Sequence, residues 1–169
     1  LRHLLRTHST EGWKHAMSQF DYQTVLMLIS IFLVIGGLEQ VGIIDDLSGI
    51  IASFGKSNLF LLYTVIVWGS VVISAFIDNI PYVATMLPVI RAVSMSLGIE
   101  PYLLYFGLLT GATLGGNLTP VGASANIAAT GILKKEGYEI SFQSFMKIGV
   151  PFTLTAVTVG YLFLWLVWK

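Results

Sequence analysis

The sequence predicts an all-α, polytopic membrane protein that contains a re-entrant helical hairpin and a discontinuous transmembrane helix. Three observations lead there. Of 169 residues, 55% are hydrophobic and 11% charged, with a mean hydropathy of +0.80, whereas soluble domains carry about 25% charged residues. A soluble chain this apolar could not cover its own surface with polar groups. The apolar residues gather in runs that approach or reach the roughly 20 residues a spanning helix needs. Two of these runs are interrupted by clusters of polar and helix-breaking residues, Asp78-Asn79-Ile80-Pro81 and Gly115-Gly116-Asn117-Leu118-Thr119-Pro120.

The nine basic and nine acidic residues cancel. No nucleic-acid partner is expected, because phosphate binding needs a basic excess. With no cysteine, disulfides, thiolate metal sites and redox thiols are excluded.

The elements follow in order. Residues 1–20 are polar and mixed and read as an interfacial connector; His3, His8 and His15 lie there without acidic neighbours. The chain opens on Leu1, not Met, and its first residues do not form a signal peptide, so it is read as a fragment of a longer protein. Residues 22–44 form the first expected span, with Gly36-Gly37 as a close-packing point and Glu39 near the interface. Residues 46–56 read as a short amphipathic interfacial helix with Asp46 as its N-cap.

The runs at 59–77 and 82–97 are each short for a crossing and are joined by a tight polar tip, so residues 58–97 are expected to form a re-entrant hairpin; two complete crossings are the alternative. Residues 101–133 exceed one ordinary span and are crowded with Gly, Asn, Thr and Ser in the middle, which predicts two half-helices around an unwound centre. A short amphipathic piece follows, then a final span at 148–168 with Trp165 and Trp168 as interfacial anchors. With the first span leaving the cytoplasm, the cytoplasmic side holds Arg2, Arg6, Lys14, Lys134, Lys135 and Lys147, and the outside Lys56, Arg91 and Lys169. That bias follows the positive-inside rule, with Arg91 read as an interfacial anchor.

The two breaks carry the candidate chemistry. An Asp in the hydrocarbon region costs on the order of 2.5–3.5 kcal/mol on insertion scales and persists where it faces a cavity, a partner or an ion. Pro81 suits the first turn of a helix and Asn79 its cap, so a helix N-terminus with partial positive charge would point into the membrane at this tip. Ser74, four residues before Asp78, is placed on the same helical face. The plain alternative is an exposed loop between two ordinary spans.

At the second break Asn117 or Thr119 is expected to cap, Pro120 to open the next helix, and Ser124 and Asn126 to follow. Broken helices are tolerated in membranes where protein or a water-filled cavity satisfies the freed backbone, and they point to a transport site; a packed structural kink is the alternative. Asn117-Leu118-Thr119 also matches a glycosylation sequon, discounted because the segment is expected to be buried.

The stretches SAFIDNIPYVATMLPVI (74–90), LGGNLTPVGASANIAATGI (114–132) and SFQSFMKIGVPFTL (141–154) resemble the C-terminal half of ArsB/NhaD-type permeases. That family sits in the ion transporter superfamily with the melanosomal P protein and the divalent anion/sodium symporters. The resemblance spans about residues 21–168. It departs at Leu118 and Pro120, where many relatives carry a GGN-G-T-type sequence. It implies that residues 21–169 are one of two inverted repeats, the N-terminal repeat being absent from this sequence. It further implies that Asp78, Asn79, Asn117, Thr119, Ser124 and Asn126 line half of a midplane site, completed by that other repeat.

The expected function is secondary active transport of a small ion (an inorganic or arsenite-like anion, an organic anion, or Na⁺) coupled to H⁺ or Na⁺ by alternating access. Asp78 would carry the proton, or hold Na⁺ with Ser124, Asn126 and backbone carbonyls. No cofactor beyond such a coupling ion is expected. A Na⁺/H⁺ antiporter and a passive channel or accessory subunit are the alternatives; an enzyme is not expected, since no Walker loop, HExxH or GxSxG motif occurs. The expected location is the cell membrane, multi-pass, and the expected partners are membrane lipid, the N-terminal repeat and a second copy in a homodimer.

Overall fold

A computed structural model describes residues 22–55 and 58–169. The connector with its three histidines, and Lys56, lie outside the described residues. Among these residues there are seven α-helices and no strand: α1 (Tyr22–Gln40), α2 (Ile43–Gly55), α3 (Leu59–Ser74), α4 (Asn79–Leu97), α5 (Tyr102–Gly115), α6 (Ser124–Lys135) and α7 (Phe142–Trp168). The chain divides into two compact units, residues 1–34 and Ile35–Lys169. The described part of the first is helical, with Leu26, Ile29, Phe32 and Leu33 exposed. The second holds α2 to α7 and both helix breaks.

Among the described residues two helices are long and apolar enough to cross a membrane alone, α4 with a mean hydropathy of 1.4 and α7 with 1.8. A third span results if α1 and α2 are counted together across the 75° bend between them. Large apolar side chains such as Ile148, Phe152, Phe163 and Leu166 point outward, as lipid-facing residues do. The fold is that of an all-helical, multi-pass membrane protein.

Several boundaries differ from those expected. The first helix stops at Gln40, not at residue 44, because Gly42 takes a φ of +79° and ends the helical path. The next helix starts at Ile43, so Asp46 is not its N-cap; Asp45 and Asp46 both lie in its first turn, where carboxylates complement the helix dipole. Ile44, Ser48 and Ala52, spaced by four, form the buried face of α2, which packs on α4 and α3. A Cβ at Gly36 or Gly37 would meet nothing within 4 Å, so these two glycines are not a packing point among the described residues. The final helix is one continuous run from Phe142, not a separate piece and a span from residue 148. Ser141 caps it by accepting from the Ser144 N–H at 3.1 Å. Pro151 sits in its interior; the carbonyl it deprives of a donor belongs to exposed Lys147, where a polar surrounding can compensate.

The core lies where α3 and α5 meet. Tyr63, Val67 and Val71 of α3 and Leu104, Leu108 and Ala112 of α5 are buried. Gly107, Gly111 and Gly115 run along the contact face of α5, and a Cβ at these positions would sit 2.7 Å from Tyr63 Cε2, 2.3 Å from Val67 O and 2.7 Å from Val71 Cα. Without side chains there, the two backbones approach closely, the small-residue packing common between membrane helices. Aromatic rings then tie α3 to α7. Tyr63 stacks on Tyr161 at 4.9 Å and donates its hydroxyl to the Tyr161 carbonyl at 2.9 Å, and Phe60 meets Trp165 edge-on at 4.7 Å.

Candidate functional site

The chain leaves α3 at Ser74 and enters α4 at Asn79, and it leaves α5 at Gly115 and enters α6 at Ser124. The two interruptions meet. Gly122 of the second lies against the tip of the first, where a Cβ would come 2.7 Å from Ala75 O and 2.8 Å from Ser74 O. Thr119, with no exposed surface, donates its hydroxyl to the Ala75 carbonyl and accepts from the Val121 N–H at 3.3 Å.

Asp78 joins the tips a second time. It is the N-cap of α4, its Oδ1 accepting from the Ile80 N–H at 3.2 Å. Its other oxygen, Oδ2, accepts from the Ser124 N–H at 3.1 Å, the first residue of α6. One carboxylate therefore serves two helix N-termini, where a negative charge is stabilised by unpaired N–H groups and the helix dipole.

This corrects two expected caps. Asp78, not Asn79, caps α4. At the second break neither Asn117 nor Thr119 caps α6, and Pro120 does not open it: the residue before α6 is Ala123, which makes no side-chain capping bond. The donor at Ser124 is satisfied from the hairpin, a long-range partner that local spacing could not reveal.

The other expected site residues divide by environment. Ser74 is fully buried and donates to Ala112 O of α5 at 2.6 Å. Because α3 ends at Ser74, Ser74 and Asp78 do not share a helical face. Asn126 points its amide back into the break and donates to Gly116 O at 2.9 Å and Thr119 O at 3.0 Å, which holds the unwound backbone in shape. Its contribution in this geometry is an anchoring N–H₂ group. Ser124 is an exposed residue.

Asn79 and Asn117 face open grooves. Asn79 lines one of about 290 Å³ with Val83, Leu87, Leu109 and Thr113. Asn117 lines another of about 400 Å³ with Ser144, Phe145, Ile148 and Phe152, while its amide reaches Thr113 O and Leu114 O at 3.4 Å. Thr113 is a polar groove residue absent from the set expected on sequence. A polar residue in the last turn of α5, just before the second break, was the available signal.

The helices and their paired breaks define a class, a multi-pass membrane protein with interrupted helices meeting at a polar centre. Similarity to known proteins narrows it: the citrate transporter family, CitMHS, matches residues 3–169, and the chain belongs to that family. An uncharacterized transporter of Mycobacterium bovis is 34% identical over 152 residues, 89% of this chain and 35% of its own length. One of Synechocystis sp. is 33% identical over 163 residues, 86% of this chain and 36% of its own. The human P protein is 33% identical over 155 residues, 88% of this chain and 18% of its own, in keeping with the superfamily resemblance. The chain thus spans about a third of the length of the transporters it matches. No solved structure matches it significantly.

Proposed function

We propose that this chain supplies one repeat of a secondary transporter that moves a small ion by alternating access, coupled to H⁺ or Na⁺, with the solute path at the junction of the two breaks. The observation that carries this reading is the Asp78 carboxylate shared between the N-termini of α4 and α6. A buried loop with no polar task would be replaced by continuous helix, since unwound backbone in lipid is costly. Here two unwound segments are kept, packed on each other and bridged by an acid.

Helix lengths support a position within the bilayer. The 14 residues of α5 rise about 21 Å at 1.5 Å per residue, short of a hydrocarbon core of about 30 Å. A hairpin tip level with the end of α5 would then stop inside that core, which is the re-entrant reading of residues 58–97. Among the substrates expected from the sequence, the citrate transporter family favours a small organic anion. Asp78 carries the coupling charge, as a proton acceptor or as a Na⁺ ligand with oxygens of the surrounding tip.

The test is transport by the full-length protein in proteoliposomes, under H⁺ and Na⁺ gradients, with citrate, other di- and tricarboxylates and arsenite as solutes. Concentrative uptake or efflux driven by an ion gradient is expected, and purely passive equilibration would instead make the protein a channel. Asp78→Asn is expected to abolish coupled transport while the protein still inserts; unchanged transport would remove Asp78 from the mechanism.

A further inference from the structure

Among the described residues, none of α6 is buried. What fixes its direction is therefore concentrated at its first turn. The loop before it is anchored, since Thr119 binds Ala75 O and Gly122 lies against Ser74 and Ala75, and Asn126 ties the first turn of α6 to that loop through Gly116 O and Thr119 O. Among the described residues a single hydrogen bond runs from α6 to the hairpin, the Ser124 N–H to Asp78 Oδ2.

We propose that Asp78 is a protonation-sensitive latch: as a carboxylate it holds the α6 N-terminus on the hairpin tip, and on taking a proton it releases it. This rests on the site reading above and adds how the site is regulated. The chemistry is one of acceptor count. An ionised carboxylate offers two full acceptor oxygens, and here each takes one backbone N–H. A protonated carboxyl turns one oxygen into an O–H donor and keeps one good acceptor, so it cannot hold both N–H groups as before. The local bond to Ile80, two residues away, closes within the capping turn, so the bond to Ser124 is the one given up. Once that bond opens, α6 pivots about the loop at 116–123.

The charged and titratable groups on the surrounding elements are Asp45 and Asp46 on α2, Tyr63 on α3, Tyr82 and Arg91 on α4, Tyr102 and Tyr105 on α5, Lys134 and Lys135 at the far end of α6, and Lys147 and Tyr161 on α7. Tyr82 is engaged with Ser70 at 3.0 Å and Tyr63 with Tyr161. None of the group hydrogen-bonds to Asp78 through its side chain, so the response belongs to this one carboxyl.

The sequence allows the bond to be cut from either side. Asp78→Asn retains one acceptor oxygen. Ser124→Pro removes the N–H and leaves the acid. Proline is favoured at the first position of a helix, and Ala123 already has the extended backbone (φ −144°, ψ 143°) that a residue before proline prefers. Ser124→Ala removes only the hydroxyl and is the control.

The experiment places nitroxide labels on cysteines at exposed Met95 of α4 and Ile132 of α6 in the reconstituted full-length protein, and measures their distance distribution from neutral to acid pH. The wild-type distribution is expected to shift on acidification. Ser124→Pro and Asp78→Asn are expected to show the acid-like distribution already at neutral pH, and Ser124→Ala to behave as wild type. A wild-type distribution insensitive to pH, or a Ser124→Pro protein that keeps the wild-type distribution and pH response, overturns the latch. If the distances respond while no solute is moved under any gradient, the latch stands and the transport reading falls. Gradient-driven transport that needs Asp78, with distances unmoved, overturns the latch and upholds the transport reading.

Discussion

Thr119 is buried completely, and its hydroxyl reaches a carbonyl 44 residues away in sequence, that of Ala75 at the end of α3. Thr119→Val keeps the shape and deletes the donor, leaving a buried acceptor without its partner, a loss of about 1–3 kcal/mol. The full-length protein in detergent is expected to melt at a lower temperature as the valine variant and to recover with Thr119→Ser; equal melting of valine variant and wild type would mean that this carbonyl does not depend on the hydroxyl. The residue types at the two breaks are legible in the sequence, because polar groups amid apolar runs stand out. Their partners are not. Thr119 and Asn126 are expected site residues by resemblance, and Ser74 is expected to share a helical face with Asp78, but in this chain each spends its donor on a backbone carbonyl. A side chain's hydrogen-bond partner is decided by which segments approach, and spacing along one segment carries no record of that. Asp78 shows the same limit: its local cap on Ile80 lies within reach of sequence reasoning, whereas its bond to Ser124, 46 residues on, does not.

At the scale of elements, the pairing of α3 with α5 rests on glycines. Gly111→Ala would put a methyl group 2.3 Å from the Val67 carbonyl oxygen, a backbone atom that cannot rotate away. The helices must separate, at a cost of about 1–3 kcal/mol for overpacking. Gly36→Ala meets nothing within 4 Å and is expected to leave stability unchanged or slightly raised. Thermal unfolding of the two variants side by side checks both, and a Gly111→Ala protein as stable as Gly36→Ala would show that α3 and α5 are not held by close approach. The four-residue spacing of Gly107, Gly111 and Gly115 is readable in the sequence, but it is less conspicuous than Gly36-Gly37, where two adjacent glycines look more like a packing notch than they are. A small-residue stripe needs a repeat on one face, and neighbours in sequence point in different directions around a helix. The ends of α5 and α6 are nearly legible because glycine and proline mark where helices stop. The continuity of α7 through Pro151 is not, since an amphipathic turn before a proline resembles a separate piece.

On the scale of the whole molecule, the depth of the paired breaks decides between two topologies. The sequence admits two readings of residues 58–97, a hairpin that enters and returns, and two complete crossings. The 19 residues of α4 rise about 28 Å and could nearly cross a core of about 30 Å, so length alone does not separate the two. The junction with α5 and α6 does bear on it. Asp78 is bonded to the first residue of α6, and the 12 residues of α6 run on from that point, about 18 Å. If α6 continues toward the cytoplasmic face, the tip must stop short of that face by a comparable depth, whereas two complete crossings would leave residues 75–78 in cytoplasmic water. This part of the protein has no cysteine, so single cysteines at exposed Phe76 and at Lys135 can be introduced without removing others. In inside-out vesicles carrying the full-length protein on a background free of other cysteines, a membrane-impermeant maleimide is expected to label residue 135 and to leave residue 76 unlabelled until the membrane is dissolved. Equal, rapid labelling at both would put the tip in bulk solvent and remove the physical reason for keeping an acid between two helix ends.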